Sequence, residues 1–155
     1  MRSSLPVPYC QPVSHARMQE NRGITVVVAD RHDLVRHALT ELIDVEPGFA
    51  VVAQAADAGT AESHVRAQRP HVLLVEPLVL GDQGLARLPG LLHTSPVTRA
   101  VVLADEASPA LERHAHGLGA VATILKHASP DELFRALRHA VALPAHSVPI
   151  PATEG

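Results

Sequence analysis

The chain has 155 residues and a formal net charge of −3, which suits one domain with a sizeable core and no dominant nucleic-acid surface. Hydrophobic residues make up 46% of the sequence but aromatic residues only 2%, so the core must be aliphatic. The single cysteine, Cys10, excludes an internal disulfide framework. No apolar run approaches the roughly 20 residues that span a bilayer, and the start lacks the apolar stretch of a secretory signal. We therefore expect a cytoplasmic protein without a membrane partner.

Both ends of the chain differ in composition from its middle. Residues 1–22 contain Pro6, Pro8 and Pro12 and no apolar period, which predicts a disordered extension, and Met18 is an alternative start of translation. Residues 144–155 are rich in proline and are predicted to be a tail or an interdomain linker. The folded domain is therefore expected over residues 23–143.

Strand and helix patterns alternate through the middle of the chain. Short continuous apolar runs predict strands that are buried on both faces, at 24–29, 49–55, 71–76, 99–104 and 121–125. Helical spacing of apolar residues predicts helices over 34–43, 59–68, 84–93, 108–117 and 129–141. Ser129 and Glu132 form a capping box at the start of the last helix. The alternation predicts an α/β fold, a doubly wound five-stranded parallel sheet built from five βα units.

Ligands of such sheets bind beyond the carboxyl ends of the strands, so the residues that follow each strand are the candidates for a site. These residues are Asp30, Arg31 and His32 after the first strand, Glu76 after the third, Ala104 and Asp105 after the fourth, and Lys126 and His127 after the fifth. The sequence has no nucleotide-binding glycine motif and no nucleophile motif, so we expect no enzyme activity. Most of the eleven histidines are scattered singly, and His114 and His116, two positions apart, face away from each other on a helix, so we expect no histidine metal site.

Four stretches of the sequence carry a resemblance to a known family. They are VVVADRHDLVRHAL, RPHVLLVEPLVLGDQGL, RAVVLADEAS and GAVATILKHASPDELFRAL. They resemble the receiver domain of bacterial two-component response regulators, in the branch that usually carries a LuxR-type helix-turn-helix, and the resemblance covers residues 24–143. It implies a CheY-like sheet of strand order 2-1-3-4-5 and a part in phosphorelay signal transduction and transcription regulation. The chain itself shows no helix-turn-helix, so we expect no direct nucleic-acid binding by these residues.

The resemblance also implies a phosphoacceptor pocket, and this sequence matches that pocket only in part. Receivers hold Mg²⁺ with an acidic pair after the first strand and with the aspartate after the third strand, which accepts the phosphoryl group. A hydroxyl residue and a lysine bind the phosphoryl oxygens. Asp30 matches one acid and Lys126 matches the lysine, whereas Arg31 replaces the second acid, Glu76 stands at the phosphoacceptor position and Ala104 replaces the hydroxyl residue.

Each replacement weakens the implied chemistry. Arg31 places a cation where a metal ligand belongs, so we expect no cofactor and weak or lost Mg²⁺ binding, with Asp30 and Glu76 as ligands only if the metal does bind. We expect Glu76 to form ion pairs with Arg31 and Lys126, as a substitute for metal and phosphate. Thr123 occupies the position where receivers usually carry an aromatic switch residue.

These departures predict a degenerate receiver that works without phosphorylation. We expect it to act as a homodimer or through a partner regulatory protein, by the face of the fourth helix, fifth strand and fifth helix or by the first and fifth helices. One alternative is a phosphoacceptor receiver in a phosphorelay, and another is a pseudo-receiver that binds a small molecule in the altered pocket. His32 and His127 are candidates for sensing pH if they lie close to the acids.

Overall fold

The computed structural model describes residues 23–143, and it confirms the predicted alternation of strands and helices. The strands are β1 (Ile24–Ala29), β2 (Phe49–Ala55), β3 (Val72–Val75), β4 (Arg99–Ala104) and β5 (Ala120–Leu125). The α-helices are α1 (Asp33–Asp44), α2 (Ala58–Gln68), α3 (Leu88–His93), α4 (Pro109–Gly117) and α5 (Pro130–Ala142). Within this range no helix combines the length and the hydropathy that crossing a membrane requires. The predicted extension 1–22 and tail 144–155 lie outside the described residues.

The five strands form one parallel sheet in the order β2-β1-β3-β4-β5, as predicted. Helices α1 and α5 cover one face of the sheet, and α2, α3 and α4 cover the other, which produces two aliphatic layers. All four residues of β3 are fully buried because the strand lies at the centre of the sheet and is covered on both faces. Because both faces of the strand are buried, its sequence is continuously apolar and does not alternate with polar residues.

Side-chain caps set where several helices begin. Ser129 and Glu132 form the predicted capping box at the start of α5, and Ser108 accepts a hydrogen bond from the Leu111 N–H at the start of α4. Asp57 caps α2 in the same way, because its Oδ1 accepts the Thr60 N–H at 2.8 Å. That hydrogen bond lowers the pKa of the Asp57 carboxyl below its ordinary value.

The segment 84–93 is helical as predicted, but it is divided into two elements. The chain forms a 3₁₀ turn at Gly84–Arg87 and only then the short helix α3. Gly84 adopts a φ of +56°, which lies outside the right-handed helical region. Pro89 has no N–H to donate to the preceding turn, so a regular α-helix cannot continue through it. The third strand is also one residue shorter at each end than predicted.

Candidate functional site: the carboxyl edge of the sheet

Two buried carboxylates lie at the carboxyl edge of the sheet. Asp30 follows β1 directly and Glu76 follows β3 directly, and these two strands are neighbours. Asp30 is fully buried and Glu76 is 3% exposed, although acidic side chains are seldom buried without a partner. The strand ends therefore bring two charges together that require compensation.

The carboxylate of Asp30 has a different partner on each oxygen. Oδ1 accepts the backbone N–H of His32 at 2.7 Å and lies 3.2 Å from His32 Nδ1. Oδ2 lies 3.3 Å from Lys126 Nζ. This second contact lacks hydrogen-bond geometry, and among residues 23–143 Oδ2 has no hydrogen-bond partner. The lysine ammonium therefore compensates the buried charge by proximity.

The negative charge of Glu76 is compensated by Arg31, the residue that stands where the resemblance implies a second acid. Its Oε1 accepts the backbone N–H of Arg31 at 3.3 Å and lies 3.5 Å from Arg31 Nε. The Glu76 side chain is 4% exposed, whereas that of Arg31 is 47% exposed. The guanidinium thus covers the carboxylate from the solvent side.

Lys126 differs from the expectation in its partners. Besides Asp30, its ammonium lies 3.4 Å from Asp105 Oδ1, and it pairs with these two acids rather than with Glu76. The expected Glu76–Lys126 pair is therefore wrong. Asp30 is fully buried, so it gains more from the single lysine than Glu76, which already has Arg31. Asp105 was among the candidates that follow a strand, but no partner was predicted for it. An acidic residue directly after a strand at this edge was a visible signal for such a contact.

The two other predicted positions, Ala104 and Thr123, do not add a side chain to this cluster of charges. Ala104 is 3% exposed and provides only its backbone, because its carbonyl accepts the Lys126 N–H at 2.9 Å. Thr123 is half-buried in β5 and lines a separate shallow depression of about 250 Å³ together with Glu112 and His116 of α4. Thr123, which the resemblance aligns with the switch residue, thus lies on the α4–β5 face.

Arg36 on α1 is a positioning residue that the sequence analysis missed. Its guanidinium donates to the Asp30 carbonyl at 3.0 Å, to Gln54 Oε1 at 3.2 Å and to Asp33 Oδ1 at 2.9 Å. These bonds connect the end of β1 to α1 and β2, and so hold the segment that carries Asp30 and Arg31. The signal available in the sequence was an arginine three residues after Asp33, in the helix that follows the first strand.

The same cluster is where a metal would bind. Among residues 23–143, Asp30, His32 and Glu76 offer ligand atoms that lie within 4.8 Å of one another. Mg²⁺, which the resemblance implies, prefers oxygen ligands in a near-octahedral arrangement. Here one donor is an imidazole, and both carboxylates already face a cation of the protein. This donor set does not fit Mg²⁺.

Comparisons with known proteins agree with the fold. Residues 26–138 match the family described as "Response regulator receiver domain". The oxygen regulatory protein NreC of Staphylococcus haemolyticus is 30% identical over 114 residues, which cover 73% of this chain and 52% of NreC. The transcriptional regulatory protein DegU of Brevibacillus brevis is 27% identical over 122 residues, which cover 79% of this chain and 51% of DegU. The chain spans about half the length of these two relatives.

Solved structures show the same architecture. A LuxR-family two-component response regulator from Aurantimonas sp. SI85-9A1 superposes with a TM-score of 0.72 at 27% identity, covering 85% of this chain and 94% of that one. The response regulator domain of Thermotoga maritima CheB superposes with a TM-score of 0.70 at 26% identity, covering 79% of this chain and 98% of that one. The similarity thus extends over the whole sheet and its helices.

Proposed function

We propose that this chain, which belongs to the response regulator receiver domain family, takes part in the regulation of transcription. The chain is a receiver domain of a two-component response regulator. The relatives NreC and DegU, named as regulatory proteins, support this proposal. Because the chain matches about half of each relative, transcription control is proposed for the receiver acting with further regulatory elements.

The receiver is proposed to signal without aspartyl-type phosphorylation. The observation that carries this proposal is the Arg31 guanidinium, 3.5 Å from the buried Glu76 carboxylate. Phosphoryl transfer to a carboxylate needs a metal and a cation to offset the charges of both reactants. Arg31 occupies the metal-ligand position, and Lys126 is already held by Asp30 and Asp105. Each of the two buried carboxylates therefore already has a cation of the protein beside it, and Mg²⁺ binds weakly or not at all.

A pocket whose buried carboxylates are already paired with cations of the protein favours one conformation of the strand ends. Such a receiver transmits its signal by self-association or by contact with a partner regulatory protein, since phosphate does not control its state. The Arg31–Glu76 pair stands in for the metal, and the Lys126–Asp30 contact stands in for the lysine–phosphate contact. The receiver then responds to changes in its own concentration or in the availability of its partner protein.

Treatment with a phosphoryl donor tests this proposal. The chain is incubated with Mg²⁺ and acetyl phosphate, and separately with Mg²⁺ and beryllofluoride, and followed by intact mass and by amide NMR spectra. We expect no phosphoryl adduct and no Mg²⁺-dependent shifts at the carboxyl edge. The variant Glu76→Gln is the matched control, because an adduct that persists in it lies elsewhere. An adduct that disappears in Glu76→Gln would overturn the proposal and make the chain a phosphoacceptor.

A further inference from the structure

The donor atoms at the carboxyl edge that do not fit Mg²⁺ suit an ion of another class. Asp30, His32 and Glu76 each offer one ligand atom, and these atoms lie within 4.8 Å of one another. Imidazole nitrogen and carboxylate oxygen are both common ligands of Zn²⁺, and three protein ligands with one water are a common Zn²⁺ arrangement. Imidazole favours Zn²⁺ over Mg²⁺, because Mg²⁺ prefers oxygen ligands. The donor set therefore selects for Zn²⁺.

The first two donors already lie at the separation that a shared ion imposes. Asp30 Oδ1 is 3.2 Å from His32 Nδ1. Two donors that each lie about 2.1 Å from one Zn²⁺, at a tetrahedral angle, are roughly 3.4 Å apart. The present contact thus has the length of a chelate as well as that of a hydrogen bond. One residue separates the two ligands in the chain, so a single short segment supplies both.

Both carboxylates are oriented by backbone N–H groups of that segment. The His32 N–H donates to Asp30 Oδ1 at 2.7 Å, and the Arg31 N–H donates to Glu76 Oε1 at 3.3 Å. Carboxylates that bind metals are commonly fixed by hydrogen bonds of this kind. Asp30 also keeps unused acceptor capacity, because its buried Oδ2 has no hydrogen-bond partner among residues 23–143. The ligands are therefore oriented without being saturated.

The charges at this edge leave a place for a cation. Three ion pairs connect three carboxylates with only two cations, so the cluster keeps a formal charge of −1; its members are Asp30, Glu76, Asp105, Arg31 and Lys126. Arg31 is the more loosely held cation, since its Nε lies 3.5 Å from Glu76 and its side chain is 47% exposed. Exchange of this guanidinium for a divalent ion neutralises the cluster.

We propose that Asp30, His32 and Glu76 form a Zn²⁺ site, in which the ion displaces the Arg31 guanidinium from Glu76. The ion enters from the solvent side, because the His32 side chain is 54% exposed. A single histidine is sufficient here, since the two carboxylates supply the other protein ligands. The inference goes beyond the proposed function, which names no ligand, and it gives the pocket an ion that sets the state of the strand ends.

Calorimetric titration of Zn²⁺ into the full chain tests the site. Cys10→Ser removes the thiol, and EDTA first strips bound metal. We expect His32→Gln to weaken the tightest Zn²⁺ binding at least about tenfold, because one of three protein ligands is lost. His127→Gln is the matched control, since His127 is exposed, lies at the same edge and is outside the cluster. Equal affinities of His32→Gln and its parent would overturn the site and assign the binding to other histidines.

Spectroscopy identifies the donor set and the position of the ion. We expect Co²⁺, as a stand-in for Zn²⁺, to give the visible absorption of a four-coordinate ion, and His32→Gln to remove it. In amide NMR spectra Zn²⁺ should shift residues 30–32 and 76, and Mg²⁺ at the same concentration should not. Identical shifts with Mg²⁺ would overturn the proposal, because they would indicate an all-oxygen site.

Arg31→Gln tests the exchange of the guanidinium for the ion. We expect tighter Zn²⁺ binding in this variant, because Glu76 no longer has a competing cation, and circular dichroism verifies that the variant folds. Weaker or unchanged binding would overturn the displacement. The phosphoryl-donor experiment contains Mg²⁺ and no Zn²⁺, so a phosphoryl adduct on Glu76 would refute the proposed function while these titrations still decide the Zn²⁺ site.

Discussion

Lys126 Nζ lies 3.3 Å from Oδ2 of Asp30, a carboxylate that is fully buried at the end of β1. The lysine side chain is itself only 11% exposed, so the pair is screened little by solvent. Lys126 also reaches Asp105 and donates its backbone N–H to the Ala104 carbonyl. One residue thus joins the carboxyl ends of β1, β4 and β5.

Replacing Lys126 with methionine should destabilise the fold. The Asp30 carboxylate then loses its cation while it stays buried, and breaking such a pair costs about 3 kcal/mol. Urea denaturation measures the free energy of unfolding. In the double variant Asp30→Asn/Lys126→Met most of this loss should be recovered, because position 30 no longer carries a buried charge without a cation. Equal losses in the single and double variants would contradict the pairing.

Restoring the three altered pocket positions should create a Mg²⁺ site. In Arg31→Asp/Glu76→Asp/Ala104→Thr a cation becomes a carboxylate, and the acceptor becomes one methylene shorter. We expect Mg²⁺ to raise the thermal midpoint of this variant, since a ligand at a hundred times its Kd stabilises by about 2.7 kcal/mol. The native sequence serves as the control and should show no such rise. Equal Mg²⁺ responses of the two proteins would refute the role given to Arg31.

Thr98 should be more important for stability than its position in a loop indicates. Its hydroxyl is buried, donates to the Pro70 carbonyl at 2.6 Å and lies 2.7 Å from Ser95 Oγ. Thr98→Val keeps the shape but leaves these groups unpaired, which should cost about 2 kcal/mol in the free energy of unfolding. Thr98→Ser retains the hydroxyl and should lose less. A Thr98→Val protein as stable as the native one would show that the bond to Pro70 contributes nothing.

The cap at Asp57 predicts an acid-dependent part of the stability. Its pKa is lowered in the folded state from an ordinary value of 3.8 by the Thr60 N–H. A lowered folded pKa means that the contribution is present above pH 3.8 and is lost as the pH falls through the folded pKa. Thermal unfolding from pH 6 downward should therefore show a smaller acid-induced decrease in Asp57→Asn, which keeps a capping oxygen without titrating. Identical pH profiles would exclude this contribution.

The sequence was sufficient for the fold because the fold depends on local patterns. Runs such as Val26–Val28 and Val72–Val75 are apolar without alternation, which is typical of a strand covered on both faces. Ser108 and Ser129 mark helix starts by the chemistry of capping. The apolar spacing of 84–93 indicated a helix but not its division into a 3₁₀ turn and α3, which Pro89 and the positive φ of Gly84 accompany.

The sequence by itself determined which residues stand at the carboxyl edge of the sheet, since each follows a strand directly. It could not determine the partners there, because a long side chain at one strand end reaches several neighbours. The sequence predicted that Lys126 pairs with Glu76, whereas in the folded structure its ammonium lies close to Asp30 and Asp105. Burial decided this, because a carboxylate removed from water gains the most from the nearest cation. Burial depends on how the strand ends and helices pack together, and that arrangement exists only in the folded chain.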